Sequence, residues 1–287
     1  MLAPSPVDQH RLCYLALVRM SNTRCGLAAT LISALFTACS GNAEQPTDAG
    51  ASDAVQALFV QAQLADYKQR PIQRAGAIVC NETVCYSGES GITGGLTIAV
   101  AMTGRYLFHM RNAVAYGEAF ADVAFGVTID DLALGSLDLG VISPAPLGAA
   151  TRLDPSNGGK LTLDGGVILD VAPGVTIPAP LMTDIDVAAA VIPAAQIPQR
   201  LLATGPARTA LLGWVLTPWE VTFSSPVDFL IPSTAQAIAE ADLYHADFVS
   251  GALKPHGKVK VDASGAIKNL GPGLSALGWF VVYAPAK

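Results

Sequence analysis

Short apolar runs separated by turn residues occupy the chain from residue 71 onward, and this alternation constrains the fold more than any other feature. The runs are rich in β-branched residues, and Gly, Pro, Asp and Asn stand between them. Many short strands with such turn signals are typical of an all-β sandwich or barrel. The sequence therefore predicts a mainly β fold with one or two β-sandwich domains. The clearest runs are AGAIVC, GLTIAVAM, RYLFHM, ADVAFGVTI, KLTLDGGVILDV, WEVTFSSPVDFLI, GKVKVDASGAIKNL and GWFVVYA.

Two turns between these runs have the residues of β-hairpins. Asp164-Gly165 separates KLTL from VILDV, and the tetrapeptide at 262–265 separates VKV from AIKNL. Asp-Gly favours tight turns whose twist matches that of paired strands. Residues 178–209 hold many Pro and Ala residues with little alternation. We expect a long connection there, with one strand at IDVAAAVI.

The strand pattern is interrupted at residues 144–158, which read PAPLGAATRLDPSNG. We predict a domain boundary in this stretch. Residues 72–144 would then form a small β-sandwich, and residues 158–284 a second β domain. The alternative is that both parts fold as one domain.

The segment 1–39 has the build of a secretory signal. After Met20, Arg24 supplies a positive charge, residues 25–38 are mostly apolar, and small residues lead to Cys39. This order of positive, apolar and small residues is that of a signal peptide. We therefore expect Met20 to be the true start and the chain to be exported.

The residues LFTAC at 35–39 resemble a bacterial lipobox, whose cysteine is acylated and becomes the first mature residue. The resemblance implies a lipoprotein of the bacterial cell envelope, facing the periplasm or the exterior. The alternatives are an ordinary signal peptide cleaved nearby and an uncleaved anchor. Residues 40–54 are small and polar without periodicity, as in a flexible tether. Acylation of Cys39 would then make a lipid anchor the only membrane contact.

Residues 55–70 form the second part of a tether region at 40–71. They read VQALFVQAQLADYKQR, and their apolar residues recur at roughly helical spacing. The spacing predicts a short helix or an ordered lead-in to the first sandwich.

Cys80 and Cys85, in CNETVC, are the cysteines that follow the signal segment. Exported proteins fold in an oxidising compartment, and the four intervening residues can form a turn that brings the thiols together. The sequence therefore predicts a disulfide. The alternative is a metal site, for which two thiols without a nearby His are a poor ligand set.

The second half of the chain holds seven motifs of structural glycines, prolines and aromatic residues. They are GGKL at 158–161, GVILDVAPG at 166–174, WEVTFSSPV at 219–227, HGKV at 256–259, DASG at 262–265, GPGL at 271–274 and GWF at 278–280. Together they resemble the ZU5-like domains of bacterial surface proteins, and the resemblance covers residues 158–282. It implies a β domain with a role in adhesion or assembly, and it supplies no catalytic residue.

The first half contains the motifs TGRYLF at 103–108 and DLGVI at 138–142. These two motifs resemble strands of carboxypeptidase-regulatory-like, or transthyretin-like, sandwiches. The resemblance implies a small sandwich placed before the ZU5-like unit.

The run GESG at 88–91 places Ser90 between glycines, as acyl-transfer enzymes often do. A nucleophile elbow needs a second glycine two residues after the serine, where this chain has Ile92. The sequence therefore favours a Gly/Ser loop. The alternative is a secreted, esterase-like serine hydrolase with a Ser-His-acid set. The residues of that alternative are Ser90, His245, His256 and Asp247.

His245 and His256 fall on predicted strands, and Asp247 lies close to the first in sequence. Imidazole is a common metal ligand, so a metal site is one interpretation. Two surface histidines on neighbouring strands are the interpretation we favour, and we predict no metal.

Charge and motifs exclude other function classes. The net charge is −6, and the chain has no nucleotide, haem or flavin motif, so we predict no cofactor and no nucleic-acid partner. The favoured function is that of a non-catalytic surface protein with a structural, adhesive or protein-interaction role and a protein or polysaccharide ligand. A carbohydrate-binding module is a further alternative, with Trp214 and Trp219 as an aromatic platform, although core packing of these rings is favoured.

Overall fold

Strands dominate the computed structural model, and the prediction of a mainly β fold is confirmed. The expected signal segment 1–39, with Cys39, and the tether up to residue 56 lie outside the described residues. The structure describes residues 57–111, 113–177, 185–219, 221–233, 237–247 and 249–285.

The first nine strands form a sandwich of two sheets and a small hairpin. One sheet has the order β4-β1-β9, with β1 antiparallel to β4 and parallel to β9. The facing sheet has the order β3-β2-β5-β8, and β6 pairs with β7. The strands are β1 Leu58–Leu64, β2 Gly76–Cys80, β3 Cys85–Glu89, β4 Gly95–Val100, β5 Gly104–Met110, β6 Ala113–Ala115, β7 Glu118–Phe120, β8 Val123–Ile129 and β9 Ser136–Ile142.

The strand β1 corrects the prediction of a helix within residues 55–70. Burial alternates strictly along Leu58–Leu64, with every second side chain in the core. The run LFVQAQL has both a near-helical spacing and a period of two. Its backbone pairing with β4 and β9 selects the extended form, in which every second side chain points into the core of the sandwich.

The remaining strands form one strongly curved sheet. Its order is β10-β14-β15-β21-β17-β18-β19-β16-β12-β11, and β13 and β20 also pair with β16. Thr151 Oγ1 lies 3.4 Å from Thr162 O, so β10 and β11, the two ends of this order, face each other. The elements are β10 Thr151–Leu153, β11 Gly159–Thr162, β12 Ile168–Val171, β13 Thr176–Ile177, β14 Ile185–Pro193, α1 Gln199–Leu202, β15 Ala210–Thr217, β16 Thr222–Ile231, β17 Ile238–Ala246, β18 Leu253–Val261, β19 Ile267–Asn269, β20 Leu274–Ala276 and β21 Trp279–Tyr283.

Both predicted hairpins are present. The turn at 164–166 joins β11 to β12, and Gly165 has a φ of 74°, which glycine adopts without strain. The turn at 262–265 joins β18 to β19, and Asp262 accepts hydrogen bonds from the backbone of Ser264 and Ala266.

The last strand, β21, is buried on both faces and joins the two parts of the fold. Phe280 and Val282 point into the core of the curved sheet. The alternate residues Trp279, Val281 and Tyr283 belong to the core of the first sandwich. That core therefore draws residues from both sides of the expected boundary at 144–158, and the described residues cluster as one compact unit. Separate folding of 72–144 and 158–284 stays a prediction.

Candidate functional site

Ser90 follows β3, and its side chain is buried in the first sandwich. Its hydroxyl donates to the carbonyl of Ile72 at 2.7 Å and accepts from the backbone N–H of Ala75 at 2.9 Å. A nucleophilic serine must give its proton to a general base. Here the hydroxyl donates its hydrogen bond to a backbone carbonyl instead. The two hydrogen bonds of the side chain hold residues 72–75 against the end of β3.

A β-bulge places His256. The register of β17 and β18 shifts between the pairs Leu243↔Gly257 and Tyr244↔Pro255, so His256 has no opposing residue. Its Nε2 lies 3.1 Å from the carbonyl oxygen of Gly273. Burial of the imidazole lowers the pKa of His256.

His245 lies on β17 opposite Phe280 of β21. The two rings are stacked with centroids 4.6 Å apart, and the ring of His256 lies 5.8 Å from that of His245. Burial, and then the neighbouring His256, lower the pKa of His245 to about 4. His245 is therefore uncharged at neutral pH and behaves as part of the aromatic core.

Asp247 faces its own turn. It accepts hydrogen bonds from the backbone N–H and the hydroxyl of Ser250 at 2.8 and 2.7 Å, and it pairs with Lys254 at 2.8 Å. Burial alone would raise the pKa of Asp247, but the bonds from Lys254 and Ser250 outweigh burial and lower it to about 2. The carboxylate thus belongs to the turn that precedes β18.

The structure brings His245 and His256 together but not with Ser90. The serine follows β3 in the first sandwich, whereas both histidines lie in the curved sheet. Among the described residues no hydrogen bond joins Ser90 to an imidazole, and no group of three His, Cys, Asp or Glu side chains is placed to hold a metal ion.

A second buried polar cluster was missed in the sequence. His109 on β5 is fully buried, with Nε2 3.3 Å from Oδ2 of Asp122 and its ring against the edge of Trp219. Trp279 Nε1 donates to the carbonyl of Asp122 at 2.6 Å. The signal that could have revealed the cluster is the run YLFHM, which is apolar on both faces and therefore typical of a strand covered on both sides.

Cys80 and Cys85 face each other across the β2–β3 hairpin. Their sulfurs are 2.09 Å apart, at the bonding distance of a disulfide. Trp214 and Trp219 are 0% and 3% exposed, so neither ring is available as a surface platform for sugars.

A groove of about 350 Å³ runs between the edge strand β9 and residues 195–200. Arg200 spans it and donates hydrogen bonds to the carbonyls of Asp138 and Leu139, at 2.8 and 3.3 Å. An edge strand with free carbonyls would pair with other chains. The guanidinium of Arg200 therefore protects this edge.

Within the described ranges, no helix has the length and apolar character needed to cross a bilayer.

Comparison with known proteins gives no family. No family model matches the chain, and no curated protein matches it. Two solved structures show weak similarity: the Bacillus anthracis TIE protein, at 12% identity and a TM-score of 0.25, and the fimbrial protein FimP from Actonomyces oris, at 10% identity and a TM-score of 0.24. Each alignment covers 81% of this chain, against 49% of the TIE protein and 57% of FimP, so the chain spans about half the length of these structures.

Proposed function

We propose that the chain is a non-catalytic lipoprotein of the bacterial cell envelope with a structural, adhesive or protein-interaction role. The observation that carries this proposal is the position of Ser90, whose hydroxyl donates a hydrogen bond to the carbonyl of Ile72. The candidate bases, His245 and His256, pack on Phe280 in the other sheet. The residues that most resemble catalytic groups in the sequence thus have structural roles.

The proposed location in the cell envelope rests on the signal segment of the sequence and on the paired cysteines of the β2–β3 hairpin. A signal segment that ends at Cys39 supports export and acylation, and the Cys80–Cys85 pair suits an oxidising compartment. The ZU5-like and transthyretin-like resemblances agree with this role and stay predictions.

An activity screen tests the proposal on residues 40–287, the chain after the expected signal segment. We expect no esterase or peptidase turnover above that of buffer, for this chain and for its Ser90→Ala variant. A fluorophosphonate probe, followed by peptide mass spectrometry, tests the native serine without mutation. Ser87→Ala is the matched control, because Ser87 is an exposed serine on β3, three residues before Ser90.

Two outcomes contradict the proposal. Turnover that survives in Ser87→Ala and is lost in Ser90→Ala would favour the serine hydrolase, as would probe labelling of Ser90.

Acylation is tested separately by growing cells with radiolabelled palmitate. We expect the label on the native chain and not on Cys39→Ser.

A further inference from the structure

One end of the first sandwich joins three segments, residues 64–75, 90–95 and 113–120. We call this surface the loop end. Hydrogen bonds between backbone and side-chain atoms of the segments make it one continuous surface. They run from Leu64 N to Gly94 O at 2.8 Å, from Arg74 N to Ser90 O at 2.9 Å and from Tyr116 Oη to Pro71 O at 2.8 Å.

Three of the nine large apolar side chains that are exposed in the described chain lie at the loop end. Ile92 is 80% exposed, Val114 70% and Tyr116 48%. Single exposed apolar residues are ordinary on protein surfaces. Two strongly exposed aliphatic side chains and an aromatic ring on adjoining segments are instead typical of a surface that meets a protein partner or a membrane.

The loop end is basic on an acidic chain. Its three segments hold three basic side chains and two acidic ones, whereas the whole chain has a net charge of −6. Arg70 pairs with both carboxylates, Asp66 at 2.6 Å and Glu118 at 3.1 Å. In the part of the chain that the structure describes, the exposed Lys68 and Arg74 have no carboxylate partner and present their charges to solvent.

The backbone of the loop end is held in unusual conformations. Three non-glycine residues of the described chain have positive φ, Gln69 at 61°, Arg74 at 55° and Tyr116 at 57°, and all three lie here. Arg70 lies over the ring of Tyr116, 4.3 Å from its centroid, which fixes the hairpin to the loop. Strained residues of this kind persist where the surroundings hold them and cluster at functional sites.

We infer that the loop end docks on the surface of an anionic lipid bilayer. Ile92 and Val114 enter the boundary between headgroups and acyl chains, while Lys68 and Arg74 meet the headgroup phosphates. An anionic polysaccharide would also attract the two cations. It would leave the aliphatic tips in water, and for this reason the exposure of Ile92 and Val114 favours lipid.

This is a second membrane contact, in addition to the lipid anchor at Cys39, which the sequence predicts to be the only one. Leu58 pairs with Val100 and Gln63 with Gly95, so β1 begins at the end of the sandwich opposite to the loop end. At about 3.3 Å per residue, β1 separates the two ends by roughly 20 Å. The inference goes beyond the proposed function, because it depends neither on acylation of Cys39 nor on a structural, adhesive or protein-interaction role.

Vesicle co-sedimentation tests the inference on residues 40–287, which lack both the apolar segment 25–38 and any acyl group. We expect binding to phosphatidylglycerol/phosphatidylcholine vesicles, little binding to phosphatidylcholine alone, and a loss of binding as salt screens the charges. Ile92→Ser/Val114→Ser and Lys68→Glu/Arg74→Glu are each expected to weaken binding at least about tenfold.

Matched variants of the curved sheet are the controls. Val249→Ser/Leu270→Ser removes two apolar side chains that are 65% and 45% exposed, and Lys160→Glu/Lys260→Glu reverses two exposed charges. Both should bind within about twofold of the native chain, because surface changes elsewhere leave the loop end intact. Far-ultraviolet circular dichroism establishes that each variant is folded.

Three results would overturn the inference. The first is no binding to anionic vesicles, or equal binding to neutral ones. The second is equal weakening by the loop-end variants and their controls. The third is native-like vesicle binding by Ile92→Ser/Val114→Ser together with binding to dextran sulfate that Lys68→Glu/Arg74→Glu abolishes, which would assign the loop end to an anionic polysaccharide.

Discussion

The indole Nε1 of Trp279 donates a 2.6 Å hydrogen bond to the backbone carbonyl of Asp122, which stands 157 residues earlier in the chain. Trp279 begins the last strand, and Asp122 immediately precedes β8 of the first sandwich. The bond therefore closes the fold between its two sheet systems, in a place where both partners are buried.

Replacing Trp279 with Phe tests this bond. The substitution keeps an aromatic ring and leaves the carbonyl of Asp122 buried without its donor, so we expect a loss of about 1–3 kcal/mol in the free energy of unfolding. Trp214→Phe is the matched control. Trp214 is equally buried, and its Nε1 has no hydrogen-bond partner among the described residues. Urea unfolding of both variants measures the difference, and equal losses would show that the bond contributes nothing.

Gly278→Ala should destabilise the same region. A Cβ at this position would lie 2.9 Å from Nε2 of His245 and closer still to the indole of Trp219, and the φ of 145° disfavours any L side chain. Overpacking of this kind costs typically about 1–3 kcal/mol. Thermal unfolding provides the measurement. Gly271→Ala is the control, because its Cβ would meet nothing within 4 Å and it should leave the midpoint nearly unchanged; a Gly278→Ala midpoint no lower than that of the control would contradict the prediction.

Stability should fall as the pH drops from about 6.5 to about 4. The pKa of His245 is lowered from its ordinary 6.5 to about 4 by burial and by His256, so the unfolded chain takes up the proton first. The contribution of uncharged His245 to the free energy of unfolding is therefore fully present above pH 6.5. Acidification removes this contribution, which is on the order of 3 kcal/mol. Asp247, whose charge acts electrostatically on His245, stays ionised over this range because its pKa is about 2.

The variant His245→Gln isolates this effect. Gln does not titrate, so the free energy of unfolding measured in urea at pH 7, 6 and 5 should change less for the variant than for the native chain. Parallel pH dependences in the two proteins would show that another group is responsible.

Ser90→Ala should destabilise the sandwich although it removes one oxygen atom only. The backbone N–H of Ala75 and the carbonyl of Ile72 both lose a buried partner, at a cost of about 1–3 kcal/mol. Ser87→Ala, on the exposed face of β3, is expected to change stability by less than about 0.5 kcal/mol. Differential scanning calorimetry compares the two, and an unaffected Ser90→Ala protein would remove the structural role assigned to this hydroxyl.

Hairpins and most strands were predictable because their signals are local. The Asp-Gly turn at 164–165 and the turn at 262–265 join strands close in sequence, so the residues that define each hairpin stand next to one another. The helix expected within 55–70 failed for the opposite reason. The run Leu58–Leu64 pairs with β9, more than 70 residues further on, and no local spacing records that pairing.

For the candidate sites too, local sequence signals predicted one part and long-range contacts decided the rest. The sequence drew attention to Ser90 and to His245 and His256, but it could not show that the serine bonds to Ile72 and Ala75 or that a bulge turns His256 toward Phe280. Burial and hydrogen bonding depend on segments far apart in the chain, whereas motif spacing describes only neighbours.

By itself the sequence determined the class of the fold, because a period of two and turn residues act within a few positions of each other. Only the tertiary structure decided that WFVVY is buried on both faces, with Trp279 in one core and Phe280 in the other. It also brought Ile92, Val114 and Arg74 to one end of the sandwich. Such groupings arise when sheets stack, and the free energy of stacking belongs to surfaces that no single stretch of the chain contains.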